Sequence, residues 1–368
     1  MDTLKTIPIA APQMGDEEKR AVMEVLDSGQ LAQGPGVEAF EREFARWCGV
    51  KHAIAVNSGT AALHLLLLAH GIKEGDEVIT SPFTFVASAN AALFVGARPV
   101  FVDIEAQTYC LDPAKVEAAI TPRTKAIMPI DLYGHPAQIP EINDIAKRHG
   151  LLLLEDACQS HGAAIGNHKT GALGFDATFS FYPTKNMTTA EGGMVTTDDD
   201  AIAEKVGVLR QHGATHRYQH DVLGYNFRMT DISAAIGRAQ LAKLDRFNER
   251  RRRNASVLDE GLAGIPGVVT PRERQGYRHV YHQYTVRIER DRDGFQQRLR
   301  EMGIGTAVHY PIPVHRQPLY IQLGYGEVSL PVAEAAAEQV LSLPVHPALT
   351  DSDLDGIVEA VKKASSSR

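Results

Sequence analysis

Short apolar runs alternate with amphipathic stretches in the middle of the chain, between about residues 76 and 197. The apolar runs predict strands at EVIT (77–80), PVFVDI (99–104), KAIMPI (125–130), LLLLED (151–156), TFSFYP (178–183) and GGMVTT (192–197). Between several of them apolar residues recur at helical spacing, for example over residues 139–149. Strands that alternate with helices favour a parallel sheet with helices on its faces. The run LLLL is apolar on both strand faces, which is typical of a central parallel strand.

The pattern changes in the last third of the chain. One long helix is predicted from residue 231 to about residue 260. Beyond it the sequence predicts a strand in QYTVRIE, a helix over 295–302, a strand in GIGTAVHY and a terminal helix in TDSDLDGIVEAVKKA. We therefore predict an α/β fold with two domains. The large domain, residues 1–250, has a mostly parallel sheet sandwiched by helices, and the smaller C-terminal domain, residues 251–368, is α+β.

Composition excludes several classes of protein. A chain of 368 residues can bury a core without disulfides or structural metals. The net charge of −7 is opposite in sign to that of most nucleic-acid binders, so we expect no nucleic acid as a partner. Cys48, Cys110 and Cys158 form no disulfide pattern and indicate a reducing compartment. Residues 1–10 have too few apolar residues for a signal peptide, and no run approaches the ~20 apolar residues of a membrane helix, so we predict a cytoplasmic protein without a membrane partner.

Two local motifs match binding signatures but lack the structural context that those signatures need. The run Gly34-Pro35-Gly36-Val37-Glu38-Ala39 matches GxGxxA, yet it follows the turn DSGQLAQ and not a strand, which argues against a dinucleotide site. His212, His216 and His220 stand four residues apart, as metal ligands on a helix would. Gly213 interrupts that run and no carboxylate is placed to orient the imidazoles, so we predict no metal site.

Two polar residues follow predicted buried strands and suit one cofactor, pyridoxal phosphate. Lys185 lies in FSFYPTKNM, where burial would lower the pKa of its amine and make it a nucleophile for a Schiff base. Asp156 ends LLLLED at the carboxyl end of a strand, where a carboxylate can pair with a protonated pyridine nitrogen. Its neighbour Glu155 should face the other side, because side chains alternate along a strand. Taken alone, Lys185 also suits a surface loop and Asp156 a helix cap.

Two further segments suit the phosphate and the ring of the same cofactor. Asn57-Ser58-Gly59-Thr60 precedes the apolar helix AALHLLLLA, whose first amides would be free to bind a phosphate, although Ser58 could simply cap the helix. Ser180 can add a hydroxyl to the same phosphate. Phe83 and Phe85 follow the strand EVIT, where an aromatic ring could stack on the cofactor or pack in the core.

These pieces stand in a chain that resembles, over nearly its whole length, the DegT/DnrJ/StrS family of sugar aminotransferases, which are fold-type-I pyridoxal-phosphate enzymes. The segments that carry the resemblance are EVLDSGQLAQGPGVEAFEREFA, VNSGTAAL, GDEVITSPFTFVAS, GARPVFVDI, ITPRTKAIMPIDLYGHPA, LLLLEDACQSHGA, FSFYPTKNMTTAEGGMV, GYNFRMTDISAAIG, HYPIPVHRQPLY and SLPVHPALT. Together these segments are highly specific. Relatives with histidine in place of the lysine are dehydratases, and Lys185 argues against that activity here.

The resemblance implies a role for each matching residue. Lys185 would form the Schiff base with the cofactor and then shuttle a proton between the amino donor and the sugar. The other implied cofactor contacts are Asp156 at the ring nitrogen, Gln159 near the ring hydroxyl, Gly59, Thr60 and Ser180 at the phosphate, and Phe85 on the ring. Asn226 would reach the cofactor phosphate of a neighbouring subunit, because the family's sites form at a dimer interface. The resemblance therefore implies a homodimer with shared active sites.

The implied substrate is a nucleotide-diphosphate keto sugar. L-Glutamate is the usual family donor and leaves as 2-oxoglutarate, while the cofactor passes through pyridoxamine phosphate and delivers the amine to the sugar, as in polysaccharide or antibiotic sugar biosynthesis. TTAEGGM resembles relatives that act on 4-keto-6-deoxy sugars and HYPIPVHRQPLY resembles relatives that act on 3-keto sugars, so C4 is favoured and C3 stays open. Candidates for contact with the substrate and its diphosphate are Arg228, His309, Tyr310, His315 and Arg316.

Two other functions stay open from the sequence. A non-catalytic regulatory relative would need a damaged site, and Lys185, Asp156, Gln159 and Ser180 are all present. Another fold-type-I enzyme, such as an amino-acid lyase, would release ammonia or cleave its substrate. Analysis of the products would separate this activity from transamination.

Overall fold

The computed structural model describes residues 6–366, so the first five residues of the segment considered as a signal peptide lie outside the described residues. The strands are β1 His52–Val56, β2 Glu77–Thr80, β3 Arg98–Phe101, β4 Thr124–Met128, β5 Leu152–Asp156, β6 Ala164–Ile165, β7 His168–Lys169, β8 Asp176–Ser180, β9 Gly193–Thr197, β10 Ala214–His216, β11 Gln219–His220, β12 Val268–Val269, β13 Tyr277–Arg278, β14 Tyr284–Ile288 and β15 Val340–Leu343. The helices are α1 Asp16–Ser28, α2 Pro35–Cys48, α3 Gly59–Ala69, α4 Ala87–Phe94, α5 Pro113–Val116, α6 Ile139–His149, α7 Asp200–Leu209, α8 Asp231–Leu262, α9 Arg292–Glu301, α10 Pro318–Tyr320, α11 Pro331–Gln339 and α12 Asp351–Ser366. Within residues 6–366, none of these helices is both long enough and apolar enough to cross a membrane.

Seven strands form the main sheet, in the order β1-β9-β8-β5-β4-β2-β3. The strands from β3 to β8 in this order pair in parallel, whereas β9 runs antiparallel between β8 and β1. The sheet is therefore mostly parallel and the predicted α/β class is confirmed. All six strands predicted from the apolar runs form, and β1 joins them as an edge strand that the pattern did not predict.

Helices cover both faces of this sheet, because successive side chains of each strand point to opposite faces. On one face lies α3, whose sequence GTAALHLLLLA is apolar all round and is buried along nearly its whole length. On the other face, Phe40 and Phe44 of α2 pack edge-on or tilted against Phe181, and Phe44 also contacts Phe179 of β8. The sheet is thus sandwiched by helices, as predicted.

The carboxyl ends of the parallel strands meet at one edge of the sheet. There β5 ends at Asp156 and β8 ends at Ser180. The strand β1 leads through Ser58 into Gly59, the first residue of α3, at the same edge. Ligands of α/β proteins bind at such an edge, because loops and helix N-termini converge there.

A second sheet, β12-β14-β15, packs with α9 and α12 over a separate apolar core. The long helix α8 spans the predicted domain boundary at residue 250 and contributes Ala255, Leu258 and Leu262 to this core. Residues 251–368 therefore contain an α+β unit, and the division of the chain at residue 250 stays a prediction.

Two segments pack away from the unit to which the predicted division assigns them. Ile7 belongs to the C-terminal core, and its N–H donates to the Gly303 carbonyl over 2.9 Å. In the opposite direction, Tyr320, Tyr325 and the helix α11 return to the core of the main sheet. These two segments, as well as the helix α8, thus connect the two apolar cores.

The strand predicted in GIGTAVHY, residues 303–310, does not form. Ile304 and Ala307 make only isolated backbone bridges, with Ile7 and Ser342 respectively. A regular strand does not form because the segment changes partner between Ile304, which bridges Ile7 in parallel, and Ala307, which bridges Ser342 in antiparallel orientation. The irregular segment carries the side chains that follow Ala307 towards the strand-end edge of the main sheet.

Candidate active site

A cavity of about 540 Å³ opens at the carboxyl ends of the parallel strands. Its volume is in the range of small-molecule and cofactor sites. The residues from the sequence prediction that line it are Gly59, Thr60, Phe85, Asp156, Gln159, Ser180, Lys185, His309 and Tyr310. Residues up to 251 positions apart in the chain therefore contribute to one site.

Lys185 lies in a tight turn after β8, where its N–H donates to the Tyr182 carbonyl over 2.9 Å. The turn is held from the other side, because the N–H of Thr189 donates to the Phe181 carbonyl over 3.0 Å. Burial lowers the pKa of the Lys185 amine, and the nearby Cys158 and Asp156 act in the opposite direction. The amine therefore loses its proton more readily than a surface lysine does.

Asp156 is 2 % exposed and its carboxylate faces the cavity. It accepts hydrogen bonds from Ser88 Oγ over 2.6 Å and from the Cys158 N–H over 3.2 Å. Thr84 Oγ1 lies 3.1 Å from Ser88 Oγ and extends this polar chain. Glu155 does not line the cavity, and its carboxylate accepts from the Gly171 N–H over 2.7 Å on the other side of β5. The alternation expected along this strand is thus present.

The N-terminus of α3 offers a seat for an anion. Ser58 caps the helix by accepting from the Ala61 N–H over 3.1 Å, and Gly59 and Thr60 follow it at the cavity wall. A Cβ on Gly59 would lie 2.7 Å from Ser180 Cβ, so only glycine allows this close approach. Backbone N–H groups and the positive end of the helix dipole face the cavity here, with the Ser180 hydroxyl beside them.

Gln159 is fixed by two tyrosines across the cavity wall. Its Oε1 accepts from the Tyr133 N–H over 2.9 Å, and its Nε2 donates to the Tyr310 hydroxyl over 3.3 Å. Phe85 lies beside Tyr310, with ring centroids 6.3 Å apart, and is 57 % exposed, whereas Phe83 is fully buried. Of the two phenylalanines considered from the sequence, Phe85 borders the cavity and Phe83 belongs to the core.

His309 and His282 form the wall contributed by the C-terminal part of the chain. Burial, together with the Lys185 charge, lowers the pKa of His309 to about 4. The same causes hold the pKa of His282 well below its ordinary value. The Nδ1 of His309 lies 3.0 Å from Ser342 Oγ, and its carbonyl accepts from the Tyr133 hydroxyl. Both imidazoles are neutral at neutral pH.

Asn226 and Arg228 do not line the cavity of their own chain. Asn226 is exposed, its Oδ1 accepts from Arg228 Nε over 3.1 Å, and its carbonyl accepts from Asn57 Nδ2 over 3.4 Å. The pair thus lies next to Asn57 and Ser58, outside the cavity that the α3 N-terminus borders.

His315 and Arg316, which were predicted as candidates for contact with the diphosphate, do not line the cavity of this chain either. His315 is fully buried, with its Nε2 3.0 Å from Glu334 Oε1. Arg316 donates to the same carboxylate oxygen over 2.9 Å and to the Gly326 carbonyl over 2.7 Å. Glu334, on α11, therefore holds both side chains. It forms an ion pair with the Arg316 guanidinium, whereas burial lowers the pKa of His315.

Several cavity residues were not predicted from the sequence. Some flank predicted ones, so position alone could have pointed to them. These are Ser58, Thr84, Cys158, Tyr182 and Thr184. Others, such as Ser88, Glu191, His282 and Gln283, have no local signal, because the fold brings them in from other segments.

The cavity residues fit pyridoxal phosphate. A buried amine, a buried carboxylate with no ion-pair partner among residues 6–366, and a helix N-terminus face one space. These three groups match the aldehyde, the protonated ring nitrogen and the phosphate of that cofactor. Gln159 and Phe85 border the remaining wall, where a planar ring would lie.

Comparison with known proteins agrees with this chemistry. A dTDP-3-amino-3,4,6-trideoxy-alpha-D-glucose transaminase from Streptomyces venezuelae is 44 % identical, and the alignment covers 96 % of this chain and 93 % of that protein. The GDP-perosamine synthase of Caulobacter vibrioides is 43 % identical over 98 % of this chain and 99 % of its own. A solved structure of NtdA from Bacillus subtilis with bound cofactor PMP superposes with a TM-score of 0.91, at 32 % identity over 100 % of this chain and 86 % of that chain.

These similarities confirm the predicted fold, the enzyme class and the pyridoxal-phosphate cofactor. The names of the two relatives refer to nucleotide sugars, so this is the class of substrate on which such relatives act. The match to a whole family extends over residues 12–362. The chain therefore belongs to the DegT/DnrJ/EryC1/StrS aminotransferase family.

Proposed function

We propose that this enzyme transfers the amino group of L-glutamate to a keto group of a nucleotide-diphosphate sugar. The observation that carries the proposal is the convergence of the Lys185 amine and the Asp156 carboxylate on one cavity that also holds a helix N-terminus. An intact set of these groups supports catalysis over a purely regulatory role. The relatives named above support the sugar nucleotide as the acceptor.

The side chains of this site would each hold one part of the cofactor. Pyridoxal phosphate supplies, when bound, a conjugated ring that takes up the electron pair of a broken C–H bond. Asp156 would keep the ring nitrogen protonated, and Ser88 Oγ orients that carboxylate from 2.6 Å. The amides at Gly59 and Thr60 and the Ser180 hydroxyl would bind the phosphate.

Lys185 is the residue placed to move the proton. Burial lowers its pKa, so more of the amine is neutral near neutral pH than in a surface lysine. A neutral amine can accept the proton from the α carbon of the donor and return it at the former carbonyl carbon of the sugar. His309 and His282 line the same cavity, but their low pKa values make them poor proton carriers at neutral pH.

Two positions of the keto group compete. The segment TTAEGGM that follows Lys185 supports C4 of a 6-deoxy sugar, as favoured from the sequence. The 3-amino product in the name of the Streptomyces venezuelae relative supports C3. We therefore propose a 3-keto or a 4-keto sugar nucleotide as the acceptor, without preferring one of them.

A substrate comparison decides between these acceptors. The holoenzyme is supplied with L-glutamate and with either a dTDP-3-keto-6-deoxyhexose or a dTDP-4-keto-6-deoxyhexose, and the amino sugar nucleotide is quantified by mass spectrometry. We expect kcat/KM to differ by at least about 100-fold, because a keto carbon held one ring position away from the amine is out of reach. Turnover of neither acceptor, with ammonia released from glutamate, would contradict the proposed function.

We further propose that Asn226 completes the cofactor site of a second copy of this chain. The Asn226 side chain is exposed beside the rim of its own cavity. The contacts described above use its Oδ1 and its backbone carbonyl, but not its amide nitrogen. A homodimer would allow this amide to donate to a phosphate in the other subunit. Arg228, whose Nε orients the Asn226 amide, would be carried to the same place.

Mixed dimers test this arrangement. Lys185→Ala and Asn226→Ala subunits are each expected to give weakly active or inactive homodimers at limiting cofactor. If Asn226 serves the partner's site, a mixed dimer of the two variants contains one fully intact site and recovers about half of the wild-type activity per dimer. If Asn226 serves its own site, the mixed dimer contains no intact site and activity is not recovered.

A further inference from the structure

Three carboxyl groups lie close together beneath the cavity floor. Asp131 is fully buried, Glu155 is 1 % exposed and Asp156 is 2 % exposed. The segments that carry them run side by side: the Asp131 N–H donates to the Asp156 carbonyl over 3.1 Å, and the Asp156 N–H donates to the Pro129 carbonyl over 3.0 Å. Only Asp156 lines the cavity.

Three other buried carboxylates are balanced by a cation. Glu77 pairs with Arg123 over 2.6 Å, Glu18 with Lys243 over 2.8 Å, and Asp103 with Lys115 over 3.3 Å. Among residues 6–366, no basic side chain forms an ion pair with Asp131 or Glu155. Two adjacent carboxylates without a cation cannot both stay ionised in a buried site.

The hydrogen bonds around the pair favour Asp131 as the ionised group. Both carboxyl oxygens of Asp131 accept, from the Ala137 N–H and from Ser160 Oγ, each over 2.8 Å. Glu155 Oε2 accepts from the Gly171 N–H, whereas its Oε1 is buried and has no hydrogen-bond donor among residues 6–366. A side-chain hydrogen bond with Asp131 is among the causes of the raised pKa of Glu155, and two carboxyl groups hydrogen-bond only if one carries a proton.

We propose that Glu155 keeps a proton and donates it through Oε1 to the Asp131 carboxylate, so that the pair holds a single negative charge and positions the cavity wall above it. Burial and the adjacent Asp131 charge raise the pKa of Glu155 well above its ordinary value, which agrees with this assignment. Cys48, Cys110 and Tyr277 also face the pair. Burial raises the pKa of each of these three to about 12, so they are neutral.

The part of the cavity wall that this pair positions is the part that contains Gln159. By accepting from the Ala137 N–H, Asp131 fixes the segment that contains Tyr133. By accepting from Ser160 Oγ, it also fixes the residue next to Gln159. These two segments meet in the hydrogen bond from the Tyr133 N–H to Gln159 Oε1. If Glu155 were also ionised, its charge would repel the carboxylates of Asp131 and Asp156. The repulsion would disturb the cavity wall at Gln159 and also Asp156, the proposed partner of the ring nitrogen.

Infrared spectra of the holoenzyme test the proton directly. A protonated carboxyl group gives a carbonyl stretching band that carboxylates lack. We expect the wild-type minus Glu155→Gln difference spectrum at pH 7 to contain this band, because glutamine removes the carboxylic acid. The matched control is Glu77→Gln, whose difference spectrum should lack the band, because Arg123 keeps that buried carboxylate ionised. Absence of the band from the wild type, or its persistence in Glu155→Gln, would overturn the proposal.

Conservative rescue tests the positioning role. The amide of Glu155→Gln can still accept from Gly171 and donate to Asp131, so we expect its kcat/KM to stay within about threefold of wild type. Glu155→Leu keeps the volume and loses both hydrogen bonds, and we expect a loss of at least about tenfold together with weaker cofactor binding. Equal losses in the two variants would contradict the role of the donated proton. This kinetic test rests on the proposed function, whereas the infrared test does not.

Unfolding at different pH values gives a second, activity-free measurement. Between the ordinary glutamate pKa of 4.5 and the raised value in the folded chain, the folded state holds one proton more than the unfolded state. The stability of the wild type therefore falls as pH rises through this window, by about tenfold in the unfolding constant per pH unit for this group. We expect that loss to be absent from Glu155→Gln. Identical pH profiles for the two proteins would count against the proposal even if the variant is less stable overall.

Discussion

Lys185→Ala is expected to lower kcat by at least about 10⁴-fold, since in the proposed function this lysine both holds the cofactor covalently and moves the proton. The turn after β8 would persist, because it rests on backbone hydrogen bonds from Lys185 and Thr189 that do not use the lysine side chain. The variant should therefore fold and bind the cofactor noncovalently. Steady-state kinetics and the visible absorbance of the bound cofactor measure the two effects separately.

A matched control is Lys125→Ala, at an exposed position of the strand β4 in the same sheet. It removes a lysine from the same sheet and should leave both kinetics and spectrum unchanged. Borohydride should fix the cofactor to the wild type and to Lys125→Ala, but not to Lys185→Ala. Fixation to Lys185→Ala would mean that another amine forms the bond.

Asp156→Asn is expected to lower kcat/KM by about 10²–10⁴-fold. The asparagine keeps the shape and can still accept from Ser88, but it leaves the cofactor ring nitrogen without a negative partner in a buried site. Loss of one partner of such a buried pair costs about 3–5 kcal/mol, which corresponds to that range. Single-turnover conversion of the cofactor with L-glutamate isolates this effect from sugar binding.

Asp103→Asn serves as the control for a buried aspartate that follows another parallel strand of the same sheet, β3. Asp103 is 4 % exposed and accepts from the N–H groups of Val332 and Ala333, outside the cavity. The variant should lose stability and keep its rate of glutamate half-reaction at low temperature. If Asp156→Asn behaved in the same way, Asp156 would have only a structural role.

The strand-end residues could be predicted because one physical rule places them. The apolar runs located β5 and β8, and in a parallel sheet the residues that follow such strands meet at one edge. Asp156, Ser180 and Lys185 therefore converge although the sequence separates them by up to 29 positions. Gly59 was predicted from a different signal, the turn before the apolar helix α3, because β1 was not predicted as a strand.

Long-range partners account for what could not be predicted. Ser88 reaches Asp156 across 68 residues and Tyr310 reaches Gln159 across 151, and neither contact leaves a local pattern in the sequence. The hydrogen bonds of His315 and Arg316 to Glu334 join residues 19 and 18 positions apart, and the sequence does not show them either. The same holds for the proton on Glu155, which depends on Asp131 in the segment that follows β4.

Transfer of isotopic nitrogen tests the central claim most directly. The holoenzyme is incubated with L-[¹⁵N]glutamate and the 3-keto or 4-keto sugar nucleotide, and the product is examined by mass spectrometry. The account predicts one ¹⁵N atom in each amino sugar nucleotide, an equal amount of 2-oxoglutarate, and no product from Lys185→Ala. Release of the ¹⁵N as ammonia, or an unlabelled amino group in the product, would contradict it.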